Sequence, residues 1–157
     1  MPRISDFQLV DLPEQPILRR VKTVGYDALP QTIGEGFAVI GASLRAAGGE
    51  PSDVPFVSFE EAEPGTLQVG VCFPLPEKLA GEGDIESVTL PAGKMVFCMY
   101  LGPYEGTHAV HEEMFAWIAK NGYHRPAVGY ESYYNGQEVA PEHYLTKIAM
   151  PLRPFRP

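Results

Sequence analysis

Apolar residues at Ile33, Phe37, Ile40 and Leu44 recur at i, i+4, i+7 and i+11, which puts them on one face of a helix. Pro30 suits the first turn of that helix, where a missing N–H costs nothing, and Gly48-Gly49 suits its end. Val110, Met114, Trp117 and Ile118 predict a second helical stripe, with Thr107 as the capping residue and Asn121-Gly122 as the stop. Between these helices lie short runs rich in β-branched and aromatic residues and bounded by Gly, Pro and acidic turns. They predict strands over 17–24, 54–59, 66–74, 85–90, 94–100, 128–134 and 143–150, followed by an irregular tail from Pro151 to Pro157.

The pattern is written twice. Leu12-Pro13 returns as Leu90-Pro91, a shift of 91 − 13 = 78, and the same shift carries Tyr26 to Tyr104, Phe37 to Phe115 and Ile40 to Ile118. Pro74-Leu75 returns as Pro151-Leu152 (151 − 74 = 77). Phe59-Glu60 matches Tyr130-Glu131 at 131 − 60 = 71, an aromatic-acid step that aligns only if loops were shortened between. Each copy reads strand, helix, strand, strand. The expectation is an α+β fold, a duplicated βαββ module with pseudo-two-fold symmetry. The copies span about 7–80 and 85–152 of a single domain covering 1–157, with Gly81-Glu82-Gly83-Asp84 as a flexible linker between them. The antiparallel sheet carries its helices on one side, and its other face is expected to form a central cleft where the copies meet.

Composition narrows the partners. A net charge of −8 on 157 residues, with only 12 Lys and Arg, disfavours direct nucleic-acid binding. The densest basic cluster, Arg19-Arg20-Val21-Lys22, reads as a solvated strand face. No apolar run approaches the roughly 20 residues that cross a bilayer, and residues 1–6 have no apolar signal core, so no membrane association and a cytoplasmic location are expected. Cys72 and Cys98 each lie in an apolar run and read as buried free thiols, consistent with a reducing compartment.

Chemistry concentrates in Tyr130-Glu131-Ser132-Tyr133-Tyr134. On a strand, Glu131 and Tyr133 share one face, and Tyr130, Ser132 and Tyr134 share the other. An acid among rings either reaches water or awaits a cation, a donor or a substrate. Other constellations are weaker. His108 and His111 stand at i, i+3 beside Glu112 and Glu113, but the second histidine of a zinc-hydrolase helix is missing because position 115 is Phe115. That cluster reads as a solvated helix face, and no metal or other cofactor is expected. No phosphate loop or Gly-x-Ser-x-Gly elbow is present. Burial disfavours the Cys98 thiolate as a nucleophile.

Leu90-Pro91-Ala92-Gly93-Lys94, Gly102-Pro103-Tyr104-Glu105, Trp117-Ile118, Asn121-Gly122-Tyr123, Tyr130-Glu131-Ser132-Tyr133 and Pro141-Glu142, in this order and spacing, resemble the GyrI-like small-molecule-binding family. That family includes effector-binding domains of multidrug-sensing and AraC-type regulators and stand-alone proteins. The resemblance covers roughly Phe7 to Leu152. It implies a cleft for hydrophobic, often cationic, small molecules, with Glu131 as the functional acid. Tyr133, Tyr104, Tyr144, Phe56 and Phe59 are the expected aromatic walls. Phe56 and Phe59 stand where many members offer a tyrosine, so Tyr133, Tyr144, Tyr100 or Tyr104 must supply any hydroxyl. With no helix-turn-helix, a stand-alone ligand binder is the leading expectation. A hydrolase of cyclopropane-containing electrophiles, with Glu131 as base and Tyr133 placing water, is one alternative. A protein that modulates gyrase is another. Glu60 is expected in solvent and Glu131 as the sole cleft acid.

Overall fold

The computed structural model of the protein describes residues 4–153. Its order is β1 (Gln8–Leu12), β2 (Gln15–Gly25), α1 (Leu29–Ala46), β3 (Phe56–Glu61), β4 (Thr66–Pro74), β5 (Glu86–Leu90), β6 (Gly93–Leu101), α2 (Thr107–Lys120), β7 (Val128–Tyr133) and β8 (Leu145–Leu152). One-turn 3₁₀ segments at Tyr26–Ala28 and Tyr104–Gly106 lead into the two helices. The described residues form two compact units, one of residues 13–92 and one that joins the residues before 13 to those after 92.

In the unit of residues 13–92 the strands run β3-β4-β2-β5, all antiparallel. Ile40 and Leu44 of α1 pack on Leu18, Val71, Phe73, Leu75 and Ile85, with Ile33 and Phe37 at the margin. In the other unit the order is β7-β8-β6-β1, again antiparallel. Here Val110, Met114 and Ile118 of α2 pack on Val96, Cys98, Tyr100, Ile148 and Met150. Trp117 lies at the edge of this core, near-parallel to Tyr123 at 6.5 Å between ring centres and tilted against Phe7 at 6.3 Å. Each unit is therefore a βαββ motif with one extra edge strand.

That edge strand is where the structure departs from the linear reading. The segment expected to open the second copy, β5, pairs with β2, from Gln15↔Leu90 to Arg19↔Glu86. The strand ahead of the first copy, β1, was not foreseen and pairs with β6. The expected flexible linker is tied down, since Asp84 accepts from Arg20 at 3.0 Å and Lys22 at 2.7 Å. These bonds, Lys22 first, hold the Asp84 carboxyl below its ordinary range. They also engage two of the basic residues expected in solvent. Thr107 is not the cap of α2, because Gly106 is. The Thr107 hydroxyl instead donates to the Tyr104 carbonyl. Pro151 and Leu152, expected in an irregular tail, extend β8 opposite Met95 and Lys94. Residues 154–157 of that tail lie outside the described residues.

Both helices end on the left-handed glycine their sequences offer. Gly48 (φ 73°) closes α1 and Gly122 (φ 83°) closes α2. The amides of Gly49 and Tyr123 return to the carbonyls of Leu44 and Ile118. Cys72 and Cys98 are buried thiols, not joined in a disulfide. Burial pushes the Cys72 thiol up to about 12. Among the described residues no helix is long and apolar enough to cross a membrane, and no cluster of three or more His, Cys, Asp or Glu is placed to hold a metal ion.

Candidate functional site

With the shift anchored at 78 by the turns ahead of the two helices, Tyr26–Ala28 and Tyr104–Gly106, the strand registers give the rest of the repeat. β2 pairs with β4 (Ile17↔Pro74) and β6 with β8 (Met95↔Pro151), so the first strands correspond at 95 − 17 = 78 and the last at 151 − 74 = 77. The middle strands follow. Val57 faces Val71 across β3–β4, and Glu131 faces Ile148 across β7–β8. Val71 and Ile148 correspond at 77, so Glu131 corresponds to Val57 at 131 − 57 = 74. The change from 78 to 74 is the length difference of the helices, 18 residues in α1 and 14 in α2.

This overturns the pairing of Glu131 with Glu60. An alignment on the aromatic-acid step is off by three residues, and an odd slip turns every side chain to the wrong face. The register pairs Tyr133 with Phe59 and Glu131 with Val57. Glu60 is exposed, and Val57 is fully buried. The helical shift of 78 also pairs His111 with Ile33.

Glu131 and Tyr133 alternate onto the same face of β7, opposite Ile148 and Thr146 of β8. Ile148 belongs to the core under α2, so this is the helix-bearing face of the unit. The expectation that the acid would look out from the face away from the helices is therefore corrected. At β6 and β8 that other face carries Lys147 over the Phe97 ring at 4.7 Å.

Glu131 is 7% exposed. The Tyr133 hydroxyl donates to its Oε1 at 2.9 Å. On its other oxygen, Nε2 of His111 stands 3.3 Å from Oε2. His111 follows Val110 on α2, so it borders the buried stripe and reaches the strand below. The reading of the His108–Glu113 cluster as a solvated face holds for His108, whose side chain is 84% exposed and 4.0 Å from Glu112. It fails for His111, which turns inward.

Around the carboxylate the rings form a cluster. Tyr104 stacks on Tyr144 at 4.8 Å between centres and meets the Tyr133 ring edge-on at 5.5 Å. Burial first, then the Glu131 charge and its hydrogen bond, push the Tyr133 phenol well above its ordinary range. Tyr104 is raised by burial, then by Tyr144, Glu131 and Glu138, although its side chain still reaches solvent. Of the four tyrosines considered as hydroxyl donors, Tyr133 reaches Glu131. Tyr100 is committed elsewhere, donating to the Pro103 carbonyl. Its hydroxyl also fills the space beside Gly102 and Gly106, where a side chain could not enter.

Phe56 and Phe59 lie on β3 of the other unit. They are three residues apart and turn to opposite faces, so one face cannot hold both. Phe59 shares the Val57 face.

A duplicated α+β module carries in one half a nearly buried carboxylate under a helix, ringed by tyrosines, an arrangement suited to a small-molecule-binding domain. The family model for the GyrI-like small molecule binding domain matches residues 5–153, and the chain belongs to that family. No curated protein matches the sequence significantly. Among solved structures the fold recurs in the EcmrR C-terminal domain (TM-score 0.75, 19% identity, covering 95% of this chain and 98% of that one). It recurs also in EcmrR bound to DNA (0.79, 20%, covering 95% of this chain), of which this chain spans 57%. SAV2435 bound to tetraphenylphosphonium is a third (0.70, 15%, covering 95% and 94%). A protein of Listeria innocua described as a hydrolase shares the fold at 14% identity (0.70, 94% and 91%).

Proposed function

We propose that the Glu131 site of this GyrI-like domain captures hydrophobic cations. One observation carries the reading. Glu131, Tyr133 and His111 occupy the positions that Val57, Phe59 and Ile33 occupy in the other unit, so the fold is built there without any of the three polar groups. A buried carboxylate costs several kcal/mol when poorly compensated, and a polar triad that the architecture does not need is best explained by a ligand. The charge attracts a cation. The Tyr104 and Tyr144 rings offer it faces, at about 0.5–2 kcal/mol per cation–π contact. Tyr133 holds the carboxylate in place.

Tetraphenylphosphonium, the molecule bound in the SAV2435 structure, is a suitable probe. Titrated calorimetrically, it should bind the wild-type chain and lose at least about tenfold in affinity, or 1.4 kcal/mol, on Glu131→Gln. Unchanged affinity in that variant would overturn the reading.

The hydrogen bond from Tyr133 to Glu131 supports a second reading, in line with the fold shared with the Listeria hydrolase. Glu131 would take a proton from water while the water oxygen attacks a strained ring carbon of a cyclopropane-bearing electrophile. The ring C–C bond breaks, and the carbon receiving its electron pair is protonated from solvent. Products followed by mass spectrometry with wild type and Glu131→Gln test it, and turnover no faster than buffer rejects it for that substrate. Modulation of gyrase would use the acidic outer surface instead, and co-purification with gyrase would survive Glu131→Gln. A cytoplasmic setting suits two cysteines that remain thiols.

A further inference from the structure

Capture of a cation accounts for a carboxylate buried beside tyrosines. It leaves unexplained why a histidine stands on its second oxygen. We propose that His111 is the internal counter-cation of Glu131 and gives way when a ligand cation arrives, so that capture of the cation is coupled to release of a proton. This inference rests on the cation-binding reading of the same site.

The geometry supports the exchange. Nε2 of His111 lies 3.3 Å from Oε2 of Glu131, and the imidazole is about a quarter exposed (26%), so its proton has a route to water. Among the described residues Glu131 is the carboxylate within ion-pair distance of His111, and Glu138 acts on the same ring cluster through Tyr104. From β7 come Glu131 and the neutral Tyr133 phenol, itself committed to Oε1. Beside Tyr133 stand two further uncharged rings, Tyr104 from the turn before α2 and Tyr144 stacked on it. On β8, Thr146 is buried and carries no charge. On its own helix, His108 and Glu112 pair with each other in solvent.

A protonated His111 and a ligand cation would therefore compete for one negative charge in a site that admits little water. Two like charges there repel far more strongly than in bulk solvent. The imidazolium N–H bond breaks, its proton passes to buffer, the neutral imidazole remains beside the carboxylate, and the ligand supplies the balancing charge. Linkage makes the effect reciprocal, so lowering the pH must weaken cation binding. Histidine is the side chain suited to this exchange because its charge changes near neutral pH. Ile33, its counterpart, could not perform it.

The experiment is calorimetric titration of the full chain with tetraphenylphosphonium, whose charge is independent of pH. It is run from pH 5.5 to 8.5, and proton release is read at about pH 6 to 7 in phosphate and in Bis-Tris, two buffers that titrate in that range with different ionisation enthalpies. The wild type should release up to one proton per cation bound in the acid range, and its affinity should rise by up to about tenfold per pH unit there before levelling off. His111→Gln should bind more tightly than wild type at pH 6, lose the slope and release no proton. Wild-type binding with equal affinity at every pH and equal heats in both buffers would overturn the inference and leave the binding reading intact. A slope that persists in His111→Gln would overturn it as well. Failure of the wild type to bind at any pH would remove both.

Discussion

Copying the apolar half of the repeat into the polar half separates what Glu131, Tyr133 and His111 do for the fold from what they do for a ligand. The triple variant Glu131→Val/Tyr133→Phe/His111→Ile installs in the second unit the residues of positions 57, 59 and 33. Consider first Glu131→Val alone. It strands a buried phenol that donated at 2.9 Å and an imidazole at 3.3 Å. A buried donor left unpaired costs about 1–3 kcal/mol. The phenol should bear most of that, because His111 retains access to water. The full substitution removes the orphaned groups along with the charge. Replacing a buried ionic cluster by apolar residues of similar shape is typically neutral or stabilising by about 1–4 kcal/mol. The single variant should therefore lose about 1–3 kcal/mol, and the triple should recover that loss and match or exceed wild type. For a chain of this size each kcal/mol is about 2–4 °C in Tm, well within the reach of scanning calorimetry. The three sites touch, so strong non-additivity is expected and is itself the signal. Tetraphenylphosphonium binding should be lost in both variants. A triple variant less stable than the single one would refute the reasoning, because it would make the triad a structural requirement. Retained cation binding would refute the functional half.

Two further outcomes follow from local geometry. In α1, a Cβ on Gly36 would come within 2.5 Å of the Val71 Cγ2, whereas one on Gly34 meets nothing within 4 Å. Urea unfolding should accordingly show Gly36→Ala destabilised by about 1–3 kcal/mol through overpacking, and Gly34→Ala stabilised by about 0.5–1 kcal/mol. Equal effects at the two sites would contradict the helix packing. The Tyr133 phenol, raised by burial and by Glu131, keeps its proton in the folded chain at pH values where an unfolded tyrosine, near 10, gives it up. Its contribution is thus complete below about pH 10 and declines above it, by up to about 1.4 kcal/mol per pH unit. Tyr133→Phe should show a shallower alkaline decline than wild type, and parallel curves would sink the assignment.

Much of the fold was legible because its signals are local. Both helices follow from apolar spacing closed by Gly48 and Gly122, and the pairing of Glu131 with Tyr133 follows from strand alternation. Long-range pairing was not legible. Nothing in Glu86–Leu90 says that it will add to β2 rather than lead the second copy, and Gln8–Leu12, with exposed Leu9 and Leu12, lacks a clean alternating pattern. His111 escaped for a different reason. Its spacing to His108 suggests one helical surface, yet the residues lie on opposite sides of the boundary between core and solvent. A signal was available. The shift of 78 that matches Phe37 to Phe115 also sets His111 against Ile33, a polar residue where the repeat half-buries an apolar one.

That substitution changes how the repeat itself is to be understood. Aligned on the aromatic-acid step, the copies look like two versions of one acidic site, one of which has drifted into solvent. Aligned by register, they are an apolar frame and the same frame with a polar triad set into it. The second description accounts for the energetics. A carboxylate placed at Val57 would have Phe59 beside it on the strand where Glu131 has Tyr133, with no hydroxyl to donate, and burial would expel it or neutralise it. At position 131 the carboxylate persists because Tyr133 and His111 engage one oxygen each. All three residues must therefore be present together for the charge to survive out of water. On the proposal made above, a carboxylate held under a helix by Tyr133 and His111 exchanges the second of these partners for the cation a ligand carries.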